Sequence, residues 1–509
     1  MLPIDHLYRT ARLLPDSVAV ESDSTALSYR ELALRVDALA AHVQSIVPGC
    51  RNRIAICGHN SLAHYLAILA TYACGNTWVA LNPQNSKRDL DRIVEVTRPA
   101  LFIVDDDCLD KFTPNGAPVL IATDVSGGTG FESIIRRHGG DRPNRDGVTL
   151  DDLQAIKFTG GSSGVPKAVQ QPYRVGSTVH LHMRLMYGYH GGDTGLAVSP
   201  LTHAGGTYIL PLLAVGGRTI LLRKPAAPAI LDAIEQRGVT RMFLAPTLLY
   251  ALMAEQQRQP RDTRALHSIT YGAAPMPVEK IRQAQAIFGA KIDVTYGQTE
   301  ASQCLTGATR EQLADERHAG TVGRPGPLVQ VEVMDAQGRI LPPGESGEVV
   351  ARGDLLMKGY LDNPELTAAT IVDGWLHTGD LGAFDEQGFL TIRGRLKEMI
   401  ISGGFNVYPT DVEAALSKHP GVHESIVFGL SDEKWGERVE AAVRLRDGAS
   451  VDAAELIRFV KAEIGSVQAP KAIHIVADLP RNEVGKVVRR EVRQRFEQDE
   501  PGAASKVQP

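Results

Sequence analysis

Short apolar strands that alternate with helical segments constrain the fold of this chain more than any other feature. Arg53–Cys57 has the pattern of a buried strand, 61–74 that of an apolar helix, and Thr77–Leu81 that of another strand. Further strand patterns follow at 101–104, 219–222, 241–244, 268–271 and 292–295. This alternation predicts an α/β fold with a parallel sheet. At 509 residues, the chain should contain several domains or subdomains.

The pattern changes twice along the chain. From about residue 329 to 393, short β runs separated by Gly, Pro and Asp turns predict an antiparallel β-barrel. Beyond residues 394–397 the helix and strand pattern fits a small α+β domain. We therefore predict a large N-terminal domain of stacked α/β sheets at 1–394, including the barrel-like part, then a hinge at 395–397, a mobile C-terminal α+β domain at 398–497 and a flexible tail at 498–509.

Composition excludes some functions. The net charge of -5, from 54 basic and 59 acidic side chains, gives no reason to expect nucleic-acid binding. The five cysteines form no CxxC pair, which favours a reduced, cytoplasmic compartment. We expect neither a signal peptide nor a membrane span, because the chain has no apolar run of the required length. The histidines show no zinc-binding pattern.

The run TGGSSGVPK at 159–167 follows a predicted strand at 152–159. Its glycines allow tight turns, and its hydroxyl, N–H and lysine groups are donors suited to a polyphosphate. It is not a Walker A loop, because Lys167 is followed by Ala168. A flexible linker is the alternative, but strand-end loops commonly bind nucleotides in α/β proteins. The candidate phosphate-binding residues are Thr159, Gly160, Gly161, Ser162, Ser163, Gly164 and Lys167.

Two further motifs carry suitable chemistry. In YGQTE, the Tyr296 ring can stack on a base, Thr299 can donate to phosphate and Glu300 can hold Mg²⁺. In WLHTGDL, Asp380 can accept two ribose hydroxyls. Each motif alone is equally compatible with a polar turn. Lys486 follows a glycine in PRNEVGKVVRRE and is a surface lysine unless the other motifs give it a role.

The order TGGSSGVPK, YGQTE, HTGDL, GRLK, GK resembles the acyl-adenylate-forming superfamily, which includes acyl-CoA synthetases, luciferases and peptide-synthetase adenylation domains. The resemblance covers nearly the whole chain. GRLKEMIISGGFNVYP and GYLDNPELTAAT are most similar to acyl-CoA and aryl-CoA ligases. The resemblance implies two half-reactions. A carboxylate attacks the α-phosphate of ATP to give acyl-AMP and pyrophosphate, and the thiol of CoA then displaces AMP.

The resemblance also implies roles for residues. It makes Lys486 the catalytic lysine, Glu300 the Mg²⁺ ligand, and Thr299 and His203 further catalytic residues, with His203 as the gate between acyl pocket and thiol tunnel. Lys397 becomes the hinge between the half-reactions. The implied nucleotide-binding residues are the phosphate loop, Gly272, Ala273, Ala274, Tyr296, Gly297, Asp380 and Arg395. The implied CoA or pantetheine residues are Ser402, Gly403, Gly404, Phe405 and Trp435. The implied acyl pocket consists of His203, Ala204, Gly205, Tyr208, Gly272 and Ala301, in which the small residues leave room beside the carboxylate.

The acid and the acceptor are less constrained. The segment 200–208 has no Asp to hold an amine, and Thr295 stands where malonate-type enzymes carry an Arg. We therefore expect a monocarboxylic acid, with an aryl or medium acyl body favoured. Ala469 and Val467 replace an Arg and an aromatic residue of relatives, so a carrier-protein thiol stays open as the alternative to CoA. A homodimer also stays open.

Overall fold

The computed structural model describes residues 1–22, 25–122, 130–159, 166–208, 210–481 and 487–498. Its largest sheet has nine strands, and the six central strands run parallel with antiparallel strands at both edges. The strand order is Arg324–Pro325, Thr306–Ala308, Ile292–Tyr296, Ser268–Tyr271, Arg241–Leu244, Thr194–Ala197, Arg218–Leu221, Val18–Glu21 and Ala26–Ser28. The predicted parallel α/β sheet is confirmed.

A second sheet has seven strands, five of them parallel. Its antiparallel edge carries the strand that follows the candidate phosphate loop. The strand order is Gly359–Tyr360, Lys167–Pro172, Leu153–Thr159, Thr77–Leu81, Arg53–Cys57, Leu101–Val104 and Val119–Ile121. The predicted strands Arg53–Cys57 and Thr77–Leu81 have the bounds that the sequence indicated.

Helices connect the strands and fill the space between the two sheets. The helix Tyr29–Ile46 begins with a capping box between Ser28 and Glu31, as the sequence predicts. The helix Leu62–Ala73 shares one core with Trp78 and Ala197, which belong to different sheets, and this explains its apolar surface. The other helices are Asp5–Leu13, Lys87–Thr97, Phe131–Arg137, Tyr173–Tyr187, Ala204–Tyr208, Leu210–Val215, Ala227–Arg237, Pro246–Arg258, Val278–Phe288, Arg310–Leu313, Pro364–Thr370, Pro409–Ser417, Ala453–Ile464 and Arg489–Gln498, with 3₁₀ turns at Asp106–Lys111 and Leu396–Glu398.

The part predicted as a barrel is a five-stranded antiparallel sheet. Its strands are Val329–Met334, Gly347–Gly353, Trp375–Phe384, Ile371–Val372 and Leu390–Arg395. Val329–Met334 pairs with only one strand, Gly347–Gly353, so no pairing among these described strands closes the sheet into a barrel. The antiparallel pattern was predicted correctly, whereas closure depends on pairings between strands distant in the chain.

The last sheet is built from residues 400–475 and has its own hydrophobic core. Its strands are Phe405–Val407, Ile400–Ser402, Gly436–Leu445, Val422–Asp432 and Ala472–Ile475. The Thr410 hydroxyl donates to the carbonyl of Arg393, which joins this unit to the preceding sheet. Arg489 pairs with Glu398 and, at 2.7 Å, with Glu413. Within the described part of the chain, no helix is both long and apolar enough to cross a membrane.

Candidate active site

Asp380 is the centre of the most highly connected polar cluster near the predicted site. Its side chain is buried, and its Oδ2 accepts hydrogen bonds from the Tyr296 hydroxyl and from Gln298 Nε2, each at 2.7 Å. Its Oδ1 lies 2.6 Å from Arg395 Nε. Asp380 and Arg395 are cross-strand partners in the antiparallel sheet, whereas Tyr296 ends a parallel strand of the nine-stranded sheet. The cluster therefore joins three of the predicted nucleotide-binding residues at the junction of two sheets.

The loop after Tyr296 has an unusual backbone. Gln303 and Cys304 both have positive φ angles, of 48° and 55°. A Cβ on Gly297 would lie 2.8 Å from the Cα and backbone N of Gln303, closer than real Cβ atoms approach. Only glycine at 297 allows the two ends of this loop to touch, and this geometry sets the direction of the Tyr296 and Gln298 side chains.

The predicted adenine-binding segment also contains backbone strain. Ala273 is exposed and has a φ of 67°, a conformation that costs an L-residue about 1–2 kcal/mol. Such strain persists where the surrounding structure enforces it, and it is concentrated at functional sites. Next to it, a Cβ on Gly272 would lie 2.9 Å from the carbonyl oxygen of Thr295. Gly272 therefore lets the ends of two neighbouring parallel strands approach each other.

Glu300 is linked to the end of the candidate phosphate loop. Its Oε1 accepts a hydrogen bond of 2.9 Å from the Tyr360 hydroxyl, and its carbonyl oxygen accepts one from the N–H of Met357. The Lys167 ammonium lies 5.3 Å from the centre of the Tyr360 ring. Burial, and then the negative charge of Glu300, raise the pKa of Tyr360, so its hydroxyl is a donor at neutral pH. A carboxylate and an ammonium thus both lie close to the Tyr360 side chain, and these are groups suited to bind a metal-bound polyphosphate.

Not all of the predicted phosphate-binding residues can be placed. Thr159 and Lys167 are cross-strand partners at the edge of the seven-stranded sheet. Gly160, Gly161, Ser162, Ser163 and Gly164 lie outside the described residues, as does Lys486. The Thr299 carbonyl accepts a hydrogen bond of 2.8 Å from Gln171, which ties the YGQTE loop to the strand that begins at Lys167.

The predicted acyl-pocket residues lie on and beside the short helix Ala204–Tyr208. The Tyr208 ring stacks on Phe243 with centroids 4.1 Å apart, and both line a small cavity with Gly205. His203 shares a 3.0 Å hydrogen bond between its Nδ1 and Thr202, and burial lowers its pKa to about 4. The imidazole is therefore neutral at pH 7.

The glycines near this helix do not create the space that we expected. A Cβ on Gly205 would lie 2.2 Å from the Ser199 carbonyl oxygen, and one on Gly206 would lie 2.1 Å from that of Leu201. These glycines let the helix pack against the backbone of the preceding loop, because any side chain would push the two apart. Ala301 is likewise buried, in a bridge with Leu356.

The predicted CoA-binding residues are not gathered around Asp380. Phe405 is 59% exposed and Trp435 is 38% exposed. They belong to one local cluster, since the Gly403 N–H donates to the Trp435 carbonyl at 2.7 Å and Ser402 begins the same turn. Lys397, the predicted hinge residue, is exposed in the turn Leu396–Glu398. Ser402, Gly403, Phe405 and Trp435 thus form a local surface on the C-terminal unit, whereas the turn that contains Lys397 follows directly on Arg395.

Sequence reasoning missed three side chains that the structure places at the site. Gln298 lies inside the YGQTE motif, but its contact with Asp380 depends on the direction of its side chain. Tyr360 lies in the GYLDNPE run, which indicated the family but no role for the tyrosine. Lys157 stands two residues before Thr159 and hydrogen-bonds to Thr207, next to His203. No local pattern marks any of these contacts.

The fold also brings together a histidine cluster that sequence spacing did not indicate. Ligand atoms of His190, Asp193 and His267 lie within 4.8 Å of one another. Asp193 is buried and already bound, at 2.8 Å by Arg241 Nε and at 3.0 Å by the Thr240 hydroxyl. The carboxylate therefore has its own counter-charge, whereas His190 and His267 are exposed at the surface above it.

Comparison with known proteins agrees with this geometry. The family model described as AMP-binding enzyme matches residues 7–361, and that of the AMP-binding enzyme C-terminal domain matches residues 411–486. Feruloyl-CoA synthase of Amycolatopsis sp is 32% identical over 498 residues, which cover 96% of this chain and 98% of that protein. Indoleacetate–CoA ligase of Aromatoleum aromaticum is 31% identical over 499 residues, which cover 96% of each chain.

Among solved structures, that of the amide bond synthetase McbA from Marinactinospora thermotolerans is similar to this chain with a TM-score of 0.88 at 30% identity. The match covers 97% of this chain and 100% of that one, so the likeness includes the large N-terminal and the small C-terminal domain. The match of the family model to most of the chain and the full-length relatives lead to the same result: the chain belongs to the family of AMP-binding enzymes.

Proposed function

We propose that this chain is an ATP-dependent carboxylate–CoA ligase. It activates a monocarboxylic acid as acyl-AMP with release of pyrophosphate, and it then transfers the acyl group to CoA. The observation that carries this proposal is the Asp380 cluster, in which a carboxylate, a tyrosine and an arginine meet. Full-length similarity to two CoA ligases supports the choice of reaction.

In this proposal Asp380 accepts the ribose hydroxyls of ATP. A carboxylate offers about four acceptor positions, and Tyr296, Gln298 and Arg395 occupy three of them. One ribose hydroxyl takes the free position, and a second hydroxyl takes the place of one of these partners. The Tyr296 ring and the strained backbone at Ala273 enclose the adenine, together with Gly272, Ala274 and Gly297. Thr159, Thr299, Lys167 and the glycine and serine residues of the phosphate loop hold the phosphates.

Glu300 is the proposed Mg²⁺ ligand. Its Oε1 accepts the hydrogen bond from Tyr360, and no hydrogen bond from the described residues engages its Oε2. This donor suits Mg²⁺, which takes oxygen ligands from one or two carboxylates and from substrate phosphates. When bound, the ion neutralises phosphate charge.

Catalysis of the first step requires positive charge at the α-phosphate rather than a general base. A carboxylic acid is already ionised near pH 7, because its usual pKa lies near 4. We assign Lys486 to this charge stabilisation, since a flexible ammonium can contact both the attacking carboxylate and the phosphate. The neutral His203 ring serves as the gate between acid and thiol.

The aromatic lining of the pocket supports an aryl or medium acyl substrate. Tyr208 and Phe243 stack beside Gly205 and enclose the small cavity. Flat apolar walls favour a flat or flexible apolar acid. Arg241 is the one charged side chain among the described residues that line the cavity, and it is paired with Asp193, so it does not favour an acid with a second carboxylate.

Ser402, Gly403, Gly404, Phe405 and Trp435 form the proposed CoA-binding surface. Because this surface lies apart from Asp380 and is partly exposed, the second step requires the C-terminal domain to rotate, and Lys397 is the proposed hinge. We place the domains at 1–394 and 398–497 around the hinge 395–397. A cytoplasmic location suits an enzyme that uses ATP and CoA. We propose no role for a second copy of the chain in either step.

Two assays test the proposal. ATP–pyrophosphate exchange across aryl, branched and linear acids should show activation of a monocarboxylic acid, whereas preference for an amino acid or a diacid would contradict the pocket argument. Acceptors are then compared with the best acid. Saturation by CoA is expected. Saturation by a carrier-protein thiol or by an amine, with no turnover of CoA, would refute the CoA step and leave the adenylation step intact.

A further inference from the structure

The short helix Ala204–Tyr208 separates two environments. On one side, Gly205 and Tyr208 line the small cavity against strands of the nine-stranded sheet. On the other side, Thr207 accepts a 3.1 Å hydrogen bond from Lys157 Nζ, which comes from the seven-stranded sheet. Lys157 therefore contacts a residue of this helix that does not line the cavity, and Thr207 lies four residues after His203, the proposed gate.

Lys157 has no counter-charge among the described residues. Its ammonium lies 5.5 Å from the centre of the Trp78 ring, and Thr207 is its one hydrogen-bond partner there. No acidic side chain contributes to its pKa, which burial alone lowers to about 8. Burial, and then the positive charge of Lys157, lower the pKa of His203.

A purely structural role does not explain this lysine. Lys157 is half-buried, and lysines in poorly solvated positions are normally paired, because an unpaired charge there lowers stability. An apolar side chain would pack on Trp78 without that cost. Lysines that are desolvated in this way are the ones that exchange protons near neutral pH and act as general bases.

We propose that Lys157 is the group that accepts the proton of the incoming thiol in the second half-reaction, an inference that rests on the proposed function. The neutral amine takes the S–H proton as the sulfur attacks the carbonyl carbon of acyl-AMP. The bond between that carbon and the phosphate oxygen then breaks, and AMP leaves with the electron pair. The Lys157 ammonium returns its proton to solvent before the next cycle.

The neighbouring groups are consistent with this assignment. A thiol has a pKa of about 8.5, and catalysis by a general base is most effective when the pKa of the base lies close to the working pH. Lys157 meets this condition, whereas His203, whose pKa is lowered to about 4, is a weak base. The hydrogen bond to the Thr207 hydroxyl holds the amine at the helix that follows His203, the proposed gate.

The test separates the two half-reactions in three variants. Lys157→Met removes the amine, Lys157→Arg keeps a charge but cannot accept a proton, and Lys291→Met is the control. Lys291 is a half-buried lysine that donates to the Thr263 carbonyl at 2.7 Å, at the opposite end of a strand from the site. ATP–pyrophosphate exchange measures adenylation. Single-turnover mixing of CoA with the acyl-AMP of the best acid, from pH 6.5 to 9.5, measures thioester formation.

In both Lys157 variants the rate of ATP–pyrophosphate exchange should stay within about threefold of wild type. The rate of thioester formation at pH 7 should fall about 100-fold, because a general base typically contributes a rate factor of this size. The deficit should shrink to under about tenfold at pH 9.5, because the thiol then ionises unaided. Lys291→Met should match wild type in both assays.

Three results would overturn the assignment: a loss of thioester formation that does not change with pH, a normal rate of thioester formation in Lys157→Arg, or an equal loss of both half-reactions. In each case, acyl-CoA formation by the wild type would still support the proposed function. Failure of the wild type to form any thioester with CoA would refute the CoA step of the proposed function and this inference with it.

Discussion

Replacement of Asp380 by Asn tests the proposed nucleotide site most specifically. The change keeps the shape of the side chain, removes its charge and turns one acceptor oxygen into an NH₂ donor. Asp380 Oδ2 accepts two hydrogen bonds at 2.7 Å, and bonds to a charged acceptor contribute about 1 kcal/mol more than neutral ones. Loss of the ion pair with Arg395, whose side chain is 49% exposed, adds at most about 1 kcal/mol. We expect the free energy of unfolding to fall by about 2–3 kcal/mol.

The same charge is expected to strengthen two hydrogen bonds from the ribose, worth together about 2 kcal/mol, so the KM for ATP should rise about 30-fold. ATP–pyrophosphate exchange at varied ATP concentration measures this rise, and thermal unfolding measures the loss of stability. Asp385→Asn is the matched control, because Asp385 caps the turn of the same hairpin through backbone N–H groups. A KM for ATP within twofold of wild type in Asp380→Asn would refute the ribose assignment.

Three further changes have defined outcomes. Gly297→Ala forces a Cβ to within 2.8 Å of the Gln303 backbone, so we expect adenylation to fall at least about tenfold, and wild-type exchange activity would show that the loop yields freely. Tyr360→Phe removes the donor to Glu300 Oε1, so the Mg²⁺ concentration for half-maximal exchange should shift severalfold while the KM for the acid stays constant. A change in the KM for the acid without a change in the Mg²⁺ dependence would contradict the assignment. Both ring nitrogens of His180 are buried without a hydrogen-bond partner among the described residues, and burial lowers its pKa to about 3. Because the unfolded imidazole binds a proton below about pH 6.5 and the folded one does not, stability falls as the pH falls from 6.5 towards 3. His180→Leu should therefore flatten the decline of the melting temperature between pH 7 and 5, and an unchanged slope would exclude His180 as its source.

Local sequence determines the elements of this fold well. Buried strands such as Arg53–Cys57 and Ser268–Tyr271 are bounded by turn residues, and the helix at Tyr29 starts at a capping box, so their positions are predictable from a few neighbouring residues. Sheet closure was predicted incorrectly at 329–393 because the pattern of alternation in a strand does not identify its second partner.

The sequence predicts those residues of the site that have a recognised role in the family motifs. Tyr296 and Asp380 are 84 residues apart and meet through the pairing of elements that no short window contains. The motifs identify both residues but not Gln298, Tyr360 or Lys157, whose roles depend on where their side chains point. The role of a glycine is also hard to predict from sequence, because a residue without a side chain can either leave space for a ligand or, as at Gly205, allow close packing of the backbone.

Transfer of oxygen from the acid to the nucleotide tests the central claim most directly. An acid labelled with ¹⁸O in its carboxylate is incubated with ATP, Mg²⁺, CoA and the enzyme, and the nucleotide products are analysed by mass spectrometry. Attack of the carboxylate on the α-phosphate, followed by displacement with the thiol, predicts AMP that carries one ¹⁸O atom and an equal amount of acyl-CoA. Unlabelled AMP, or ADP with the label in inorganic phosphate, would contradict an acyl-adenylate pathway.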